Sequence, residues 1–305
     1  MTELDLIIIG GGPAGLTAAI YAQRARLVTI LLEKSLLGGQ VAYSGPIENY
    51  PGYLETTGLE LAGRMEEQVR RLNLDIVYET AKAISLEGPM KAVTTDKKVY
   101  HAKSVIIAVG DEPLTLGLEN ERRLTGRGVS YCATCDGPLY NGKKVAVVGG
   151  GDSAVTEALY LTKMAKAVYI IHRRDTLRAE KLNAERLLSK VNVEPQWSTV
   201  VTEINGDEKV ESLTLKDVKT GESRELAVDG VFIYIGRRPQ TGFLANIQKD
   251  EWGYIQTDSL MQTSMKGVFA AGDCASYNWR QIASAVGEGA KAAISAIKYI
   301  EREFT

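Results

Sequence analysis

Gly10-Gly11-Gly12-Pro13-Ala14-Gly15 is a glycine-rich motif near the start of the chain, and it indicates how the first part of the chain folds. It follows an apolar run, Leu6 to Ile9, and it opens a helical pattern, Pro13 to Arg24. Such a turn needs glycine because the backbone takes positive φ and because a residue without Cβ lets a pyrophosphate approach the helix N-terminus. The pattern predicts a strand, a tight turn and a helix that bind a dinucleotide through Gly10, Gly12, Pro13, Ala14 and Gly15.

A second copy of this fingerprint occurs near the middle of the chain. Gly149-Gly150-Gly151-Asp152-Ser153-Ala154 follows the apolar run Val145 to Val148 and opens a helical pattern, Asp152 to Met164. Two strand–turn–helix units of this kind predict an α/β protein with two Rossmann-like domains. The residues expected at the second nucleotide are Gly149, Gly151, Asp152, Ser153 and Ala154.

The residue that ends the next strand differs in charge between the two copies. Glu33 and His172 each lie 23 positions after the first glycine of their fingerprint. A carboxylate there accepts both hydrogen bonds of a ribose diol, so the first site suits FAD or NAD. The second site has the basic cluster His172, Arg173, Arg174 and Arg178, which predicts a 2′-phosphate and hence NADPH. A solvated acid and a basic helix start are the simpler alternatives.

Length, composition and charge limit the class of protein. The chain has 305 residues, 45% of them hydrophobic, and a formal net charge of −2. This is enough for two domains of ordinary size, and the absence of a large basic excess argues against nucleic acid as a partner. No apolar run approaches the ~20 residues that span a bilayer, and no signal peptide is recognisable. We therefore expect a soluble, cytoplasmic protein that does not bind a membrane.

The order of the segments predicts an inserted domain. After Arg237-Arg238-Pro239 the chain returns to a short strand, Gly267 to Ala271, then Gly272-Asp273 and a helical stretch, Ile282 to Glu301. This tail is similar to the closing part of a flavin domain. We expect a discontinuous FAD domain, residues 1–114 and 244–305, with an NADPH domain, residues 115–243, inserted between its parts.

Cys132-Ala133-Thr134-Cys135-Asp136 lies between the two fingerprints. A structural zinc site usually needs four clustered Cys or His ligands, which this chain does not offer, so no metal site is predicted and the pair is read as a redox dithiol. An inert reduced pair is the alternative. Asp136 could carry a proton for the sulfurs, or it could simply form the turn before Gly137-Pro138. The third cysteine, Cys274, does not belong to this pair.

Taken together, these motifs resemble those of bacterial-type, low-molecular-weight thioredoxin reductase, and the similarity extends along essentially the whole chain. The similarity rests on both fingerprints and on further motifs: Gly38-Gly39-Gln40, Glu48-Asn49-Tyr50-Pro51-Gly52, Cys132 to Gly137, His172 to Arg178, Gly272-Asp273 and Arg280-Gln281-Ile282. One stretch departs from the family, since Val109-Gly110-Asp111-Glu112 stands where an Ala-Thr-Gly-Ala type sequence is usual. Trp279 is also less usual at its position.

The resemblance implies specific roles for residues that no pattern assigns. It places Lys34, Gly39, Gln40, Asn49, Gly272 and Asp273 around FAD, and Arg280, Gln281 and Ile282 beside the flavin ring. It implies that Cys135 receives electrons from the flavin, that Cys132 attacks the disulfide of thioredoxin and that Asp136 is the acid/base. A homodimer is typical of the family.

These expectations combine into an NADPH-dependent electron relay. Hydride would pass from NADPH to FAD, the flavin would reduce Cys132–Cys135, and the dithiol would reduce thioredoxin. Because the dithiol and the nicotinamide site both belong to the inserted domain, we expect that domain to rotate between half-reactions.

Other functions remain open at the level of sequence. The enzyme could reduce another disulfide partner, such as a glutaredoxin-like protein or a peroxiredoxin system, or it could use another electron donor. A flavin-dependent NAD(P)H oxidase, a ferredoxin–NADP reductase and a non-enzymatic nucleotide-binding protein are more distant alternatives, and the dithiol argues against them.

Overall fold

The structure is a computed structural model and describes residues 4–43, 46–47, 49–87, 89–275 and 280–304. Glu48 and Trp279 lie outside the described residues, as does the side chain of Cys135. In chain order the strands are β1 (Leu4–Ile9), β2 (Thr29–Glu33), β3 (Pro46–Ile47), β4 (Thr56–Thr57), β5 (Asp75–Tyr78), β6 (Ala81–Glu87), β7 (Met90–Thr95), β8 (Val99–Ile107), β9 (Asp111–Pro113), β10 (Val129–Ser130), β11 (Lys144–Gly149), β12 (Ala167–Ile171), β13 (Val193–Gln196), β14 (Thr199–Asn205), β15 (Ser212–Asp217), β16 (Ser223–Ala227), β17 (Gly230–Tyr234), β18 (Arg237–Pro239) and β19 (Val268–Ala270).

Two of the helices directly follow the two fingerprints, and a long helix closes the chain. They are α1 (Pro13–Arg24), α2 (Gly58–Arg71), α3 (Ala133–Asp136), α4 (Asp152–Leu161), α5 (Lys181–Leu188) and α6 (Ile282–Phe304), with short 3₁₀ turns at Gly39–Tyr43 and Gly137–Tyr140. Gly12 caps α1 and Pro13 occupies its first turn, where a missing backbone N–H costs nothing. Among the described residues, no helix combines the length and the apolar character needed to cross a membrane.

The chain divides into two compact units. The discontinuous unit contains residues 1–112 and 238–305, and the inserted unit contains residues 113–237. The divisions fall after Glu112 and after Arg237, whereas the sequence analysis put them after residues 114 and 243. The first division lies within β9 and the second within β18. These two strands pair with each other as a two-stranded ribbon.

The discontinuous unit is built on a sheet with the order β5-β2-β1-β8-β7-β6, and β19 also pairs with β8. β1 runs parallel to β2 and β8, while β6 and β7 form an antiparallel extension. Alternate residues of β1 face opposite layers: Leu6 and Ile8 pack under α1 and α6, and Ile7 and Ile9 pack against the segment around Ile255. Because both faces are covered, the buried stretches 6–9 of β1 and 105–107 of β8 are apolar on both faces.

The inserted unit repeats the same principle on a smaller scale. Its parallel sheet has the order β10-β17-β11-β12-β13, and a meander of β14, β15 and β16 packs on one side. Val145 and Val147 of β11 face α4, and Ala146 and Val148 face the meander. The α/β prediction with two Rossmann-like units, one inserted in the other, is confirmed. The second fingerprint helix ends at Leu161, three residues before the predicted Met164.

Candidate functional site

The turn between β1 and α1 has the geometry that the first fingerprint predicted. Gly10 has φ of 105°, and a Cβ there would lie 2.3 Å from the carbonyl oxygen of Ala108. A Cβ on Gly15 would lie 1.8 Å from Gly10 O, so these two glycines are required by the turn itself. Gly12 differs, because a Cβ on it would meet no atom within 4 Å. Protein packing does not explain this glycine, whereas a ligand in contact with the helix N-terminus would.

A cavity of about 410 Å³ opens at this turn. Most of the residues predicted to hold FAD line it, although they come from distant parts of the chain: Gly10, Gly12, Pro13, Ala14, Glu33, Lys34, Gly39, Gln40, Gly272, Asp273, Arg280, Gln281 and Ile282. Gly15 does not line the cavity but packs against the backbone of Gly10 in the turn. Asn49 does not line the cavity, but its amide nitrogen donates to the Gln281 side chain at 3.1 Å. The fold therefore brings these residues together.

Glu33 is nearly buried at the end of β2 and faces the glycine turn. Its Oε2 accepts a hydrogen bond from the backbone N–H of Gly11 at 2.7 Å, and its Oε1 accepts one from Ser35 N–H at 2.8 Å. These bonds fix the carboxylate at the cavity, and each oxygen retains a further lone pair. The arrangement fits the recognition of a ribose diol.

The cavity wall also contains a charged pair that the sequence analysis did not recognise. Asp111 has a fully buried side chain, and its Oδ2 lies 3.2 Å from Nε of Arg280. Gln40 donates from its amide nitrogen to the Asp111 carboxylate at 3.1 Å and also to its backbone carbonyl. The only signal in the sequence was the departure at Val109 to Glu112, which gave no indication of a partner.

The second fingerprint forms the same turn between β11 and α4. Gly149 has φ of 147°, and a Cβ there would lie 2.3 Å from the carbonyl oxygen of Tyr234. A Cβ on Gly151 would meet nothing within 4 Å, as at Gly12. Asp152 accepts a hydrogen bond from Glu180 N–H at 2.7 Å, and Ser153 is exposed in the first turn of α4. Ala154 is buried against the turn.

The basic cluster beside this turn differs in one respect from the prediction. The sequence predicts His172 to be one of the cations, but its side chain is buried and its ring occupies the space next to Gly150. Burial lowers the pKa of His172, and the nearby charges of Arg178, Arg174 and Arg173 lower it further. The imidazole is therefore neutral at neutral pH. Arg173, Arg174 and Arg178 are exposed and supply the positive charge.

Arg178 is tied directly to the fingerprint. Its backbone N–H donates to the carbonyl oxygen of Gly150 at 2.6 Å, which anchors the end of the segment that carries the cluster. The exposed guanidinium groups thus belong to the same corner of the inserted unit as the second glycine turn. Their position fits a phosphate on the ribose of a bound nucleotide.

The dithiol segment forms a single helical turn, α3. Cys132, the residue before α3, is disulfide-bonded. Its backbone N–H donates to Oγ of Ser130 at 3.1 Å, and the Ser130 hydroxyl donates to Oδ2 of Asp136 at 2.7 Å. Ser130 was missed in the sequence analysis, yet it connects the predicted nucleophile to the predicted acid/base. Cys274 is a free and buried thiol whose pKa burial raises to about 12, so it is not a reactive thiolate.

A second carboxyl group lies under the start of α3. The backbone N–H of Ala133 donates to the hydroxyl of Tyr234 at 2.6 Å, and that hydroxyl donates to Oε2 of Glu157 at 3.4 Å. Burial raises the pKa of Glu157, while hydrogen bonds from Tyr234 and from the backbone of Ala133 and Thr134 oppose this rise. Glu157 lies in the middle of α4, and nothing in the local sequence marks it.

The predicted site residues fall into two groups, one in each unit. The residues expected at FAD belong to the discontinuous unit, and those expected at NADPH belong to the inserted unit together with Cys132, Cys135 and Asp136. Among the described residues, no group of three His, Cys, Asp or Glu side chains is arranged to hold a metal ion.

Comparison with known proteins identifies the family. Residues 4–289 match the family described as pyridine nucleotide-disulphide oxidoreductase. The thioredoxin reductase of Treponema pallidum is 47% identical, over 98% of each chain. The crystal structure of Lactococcus lactis thioredoxin reductase covers 98% of this chain and 100% of its own, with 42% identity and a TM-score of 0.87.

A further solved structure bears on the electron donor. A ferredoxin-flavin thioredoxin reductase from Clostridium acetobutylicum is 35% identical over 99% of each chain, with a TM-score of 0.55. The family implies the use of a flavin and, by its description, of a pyridine nucleotide. The chain belongs to the pyridine nucleotide-disulphide oxidoreductase family and, within it, to the thioredoxin reductases.

Proposed function

We propose that this protein is a thioredoxin-disulfide reductase that uses FAD and NADPH. The observation that carries the proposal is the disulfide-bonded Cys132, which lies in the same compact unit as the second glycine turn and its exposed arginines. A disulfide in a Cys-x-x-Cys segment on the same unit as a nucleotide-type turn favours an electron-transfer enzyme over a protein that only binds nucleotides. The thioredoxin reductases among its relatives match over nearly the whole chain.

FAD fits the cavity of the discontinuous unit. Gly12 offers open space at the N-terminus of α1, where the pyrophosphate would lie, and Glu33 would accept hydrogen bonds from the ribose. Gln40, Asp273 and Gln281 line the same cavity and would hold the remainder of the cofactor. Bound FAD would supply two-electron chemistry between a reduced nicotinamide and a disulfide.

NADPH fits the second turn better than NADH does. Arg173, Arg174 and Arg178 are exposed next to Gly150, and guanidinium groups bind a 2′-phosphate through charge-assisted hydrogen bonds. The neutral ring of His172 would pack beneath the glycine turn rather than carry charge.

The dithiol segment supplies the exchange chemistry. In the reduced enzyme the Cys132 thiolate would attack one sulfur of the thioredoxin disulfide, forming a mixed disulfide and releasing the other sulfur as a thiolate. Asp136, held by Ser130, would give a proton to that leaving sulfur. The Cys135 thiolate would then attack the Cys132 sulfur and break the mixed disulfide. The second thioredoxin sulfur would leave as a thiolate and take up a proton from water, so that thioredoxin leaves as a dithiol and the enzyme disulfide is restored.

The test is an anaerobic titration of the purified protein with NADPH and, separately, with NADH, followed by oxidised thioredoxin. We expect NADPH to bleach the flavin absorbance at much lower concentration than NADH, and thioredoxin to restore it. The double variant R173A/R174A should lose about tenfold or more in kcat/KM for NADPH, because charge-assisted bonds contribute about 1.5–3 kcal/mol. R186A removes an exposed arginine of α5 and serves as the control.

Other outcomes point to other functions. Bleaching by reduced ferredoxin but by neither nucleotide would move the donor to the chemistry named for the Clostridium acetobutylicum relative. Bleaching by NADPH without reoxidation by thioredoxin would favour another disulfide partner. The homodimer and the cytoplasmic location stay predictions.

A further inference from the structure

A buried ion pair lies in the wall of the cavity proposed for FAD. The side chain of Asp111 has no solvent exposure, and that of Arg280 is 27% exposed, with 3.2 Å between Oδ2 and Nε. Both residues line the cavity of about 410 Å³. Since the pair is largely removed from water, its charges interact more strongly with a group in the cavity than the charges of a surface pair would.

Arg280 is held from a second direction by Tyr254. The Arg280 Nη2 group donates to the Tyr254 hydroxyl, and its Cζ lies 5.6 Å from the centre of the Tyr254 ring. Tyr254 is itself buried in the core of the unit. The guanidinium therefore has one fixed position, set by a carboxylate on one side and an aromatic ring on the other.

Asp111 also organises Gln40. The Gln40 amide donates to both the carboxylate and the backbone carbonyl of Asp111. One buried carboxylate thus orients two side chains, Gln40 and Arg280, that face the cavity from different segments of the chain. Its negative charge also opposes the positive charge of Arg280 at the cavity wall.

We propose that Asp111 is a positioning residue that sets the redox potential of the bound flavin, because it neutralises and orients Arg280. The inference rests on the proposed function, in which FAD occupies this cavity. Two-electron reduction adds negative charge to the flavin ring, which the family resemblance places beside Arg280, and the positive charge of Arg280 would stabilise it. Asp111 removes this stabilisation, so it keeps the potential lower and the reduced flavin a stronger reductant for a disulfide.

The decisive variant is D111N, which keeps the shape of the side chain and removes its charge. We expect the equilibrium constant for flavin reduction to rise about tenfold, which for a two-electron couple is about 30 mV. The measurement is an anaerobic titration of the holoprotein against a reference dye of known potential, followed by flavin absorbance. It does not depend on turnover.

E112Q is the matched control for D111N. Glu112 is the next residue, but its side chain is 44% exposed and pairs at 2.9 Å with Arg238, which is 67% exposed. This variant should leave the flavin potential unchanged. Equal shifts in D111N and E112Q would overturn the inference, as would an unchanged potential in D111N.

A double-mutant cycle keeps the inference testable if D111N folds poorly. R280Q removes the cation and should shift the equilibrium constant in the opposite direction, and D111N/R280Q should return close to the wild type. An unchanged potential in R280Q contradicts the inference. If the wild-type protein binds no flavin, the proposed function fails as well; if it binds flavin that NADPH bleaches, an unchanged potential in the variants refutes only the role of Asp111.

Discussion

At the scale of single residues, Ser130 connects the two groups that would perform thiol–disulfide exchange. It is 3% exposed, it accepts a hydrogen bond from the backbone of Cys132, and it donates to the carboxylate of Asp136. Asp136 alone could have been a turn former, as its sequence context allowed. Its bond to Ser130 favours the acid/base alternative, because the carboxylate is held beside the cysteine that carries the disulfide.

We predict that S130A slows the reduction of thioredoxin by about fivefold, since losing one such hydrogen bond costs about 1 kcal/mol. Reduction of the flavin by NADPH should be unaffected, because that step does not involve Asp136. Rapid-mixing absorbance measurements of the two half-reactions separate these effects. S104A, which removes a buried serine hydroxyl from the discontinuous unit, is the control for a general loss of stability. Equal slowing in both variants would contradict the role of Ser130.

At the scale of elements, α4 contributes to both the second glycine turn and the surroundings of the dithiol segment. The helix begins at Asp152, and about one and a half turns later Glu157 reaches the start of α3 through the hydroxyl of Tyr234. The fingerprint predicted the N-terminus of this helix but not the role of its middle. That role depends on α3 packing across α4, a contact between segments that local sequence does not encode.

The raised pKa of Glu157 makes stability depend on pH. Burial disfavours the charged form in the folded protein, so folding is penalised once the carboxyl ionises in the unfolded chain. The penalty is absent below the ordinary glutamate pKa of 4.5. It grows as the pH rises above that value and is complete once the pH exceeds the folded-state pKa. We therefore expect the melting temperature of E157Q to fall less between about pH 4.5 and about pH 8 than that of the wild type.

The control for this prediction is E185Q, on the exposed surface of α5 in the same unit. Its melting temperature should follow the wild type across the pH range. A difference of the same size in E185Q, or no difference in E157Q, would show that Glu157 is not the group responsible.

At the scale of the whole molecule, the chain passes between its two units twice, within β9 and within β18. These strands pair with each other, and the backbone bonds from Gln240 N–H to Gly110 O and from Leu114 N–H to Gly236 O flank them. Any rotation of the inserted unit, as the family resemblance predicts, must change the backbone angles near this ribbon. Gly236, with φ of 128°, and Gly110, with φ of 65°, flank the ribbon and can adopt backbone angles that other residues rarely take.

We predict that G236A lowers kcat with thioredoxin severalfold and leaves the FAD content of the purified protein unchanged. The added Cβ restricts φ, and it would lie only 3.2 Å from the Leu114 side chain. G221A is the matched control, because Gly221 also has positive φ but lies in the turn between β15 and β16. Steady-state assays of both variants test the prediction, and turnover of G236A at the wild-type rate would argue against a rotation at this ribbon.

The positions of the turn glycines and of the strand-end residues Glu33 and His172 could be predicted from the sequence. Gly10 and Gly149 lie where the turn demands glycine, and Glu33 and His172 follow at equal spacing, because strand, turn, helix and next strand have nearly fixed lengths. The charge of His172 could not be predicted. It depends on burial beside Gly150, and burial is decided by how the strand end packs against the turn.

The two glycine turns, the α/β class and the Cys-x-x-Cys pair follow from the sequence, because each depends on residues within a short stretch of chain. The groups that surround them depend on tertiary packing. Asp111 meets Arg280, and Glu157 meets Tyr234, across long separations in the chain. Such contacts arise from the packing of whole elements, and no local pattern of residue types records them.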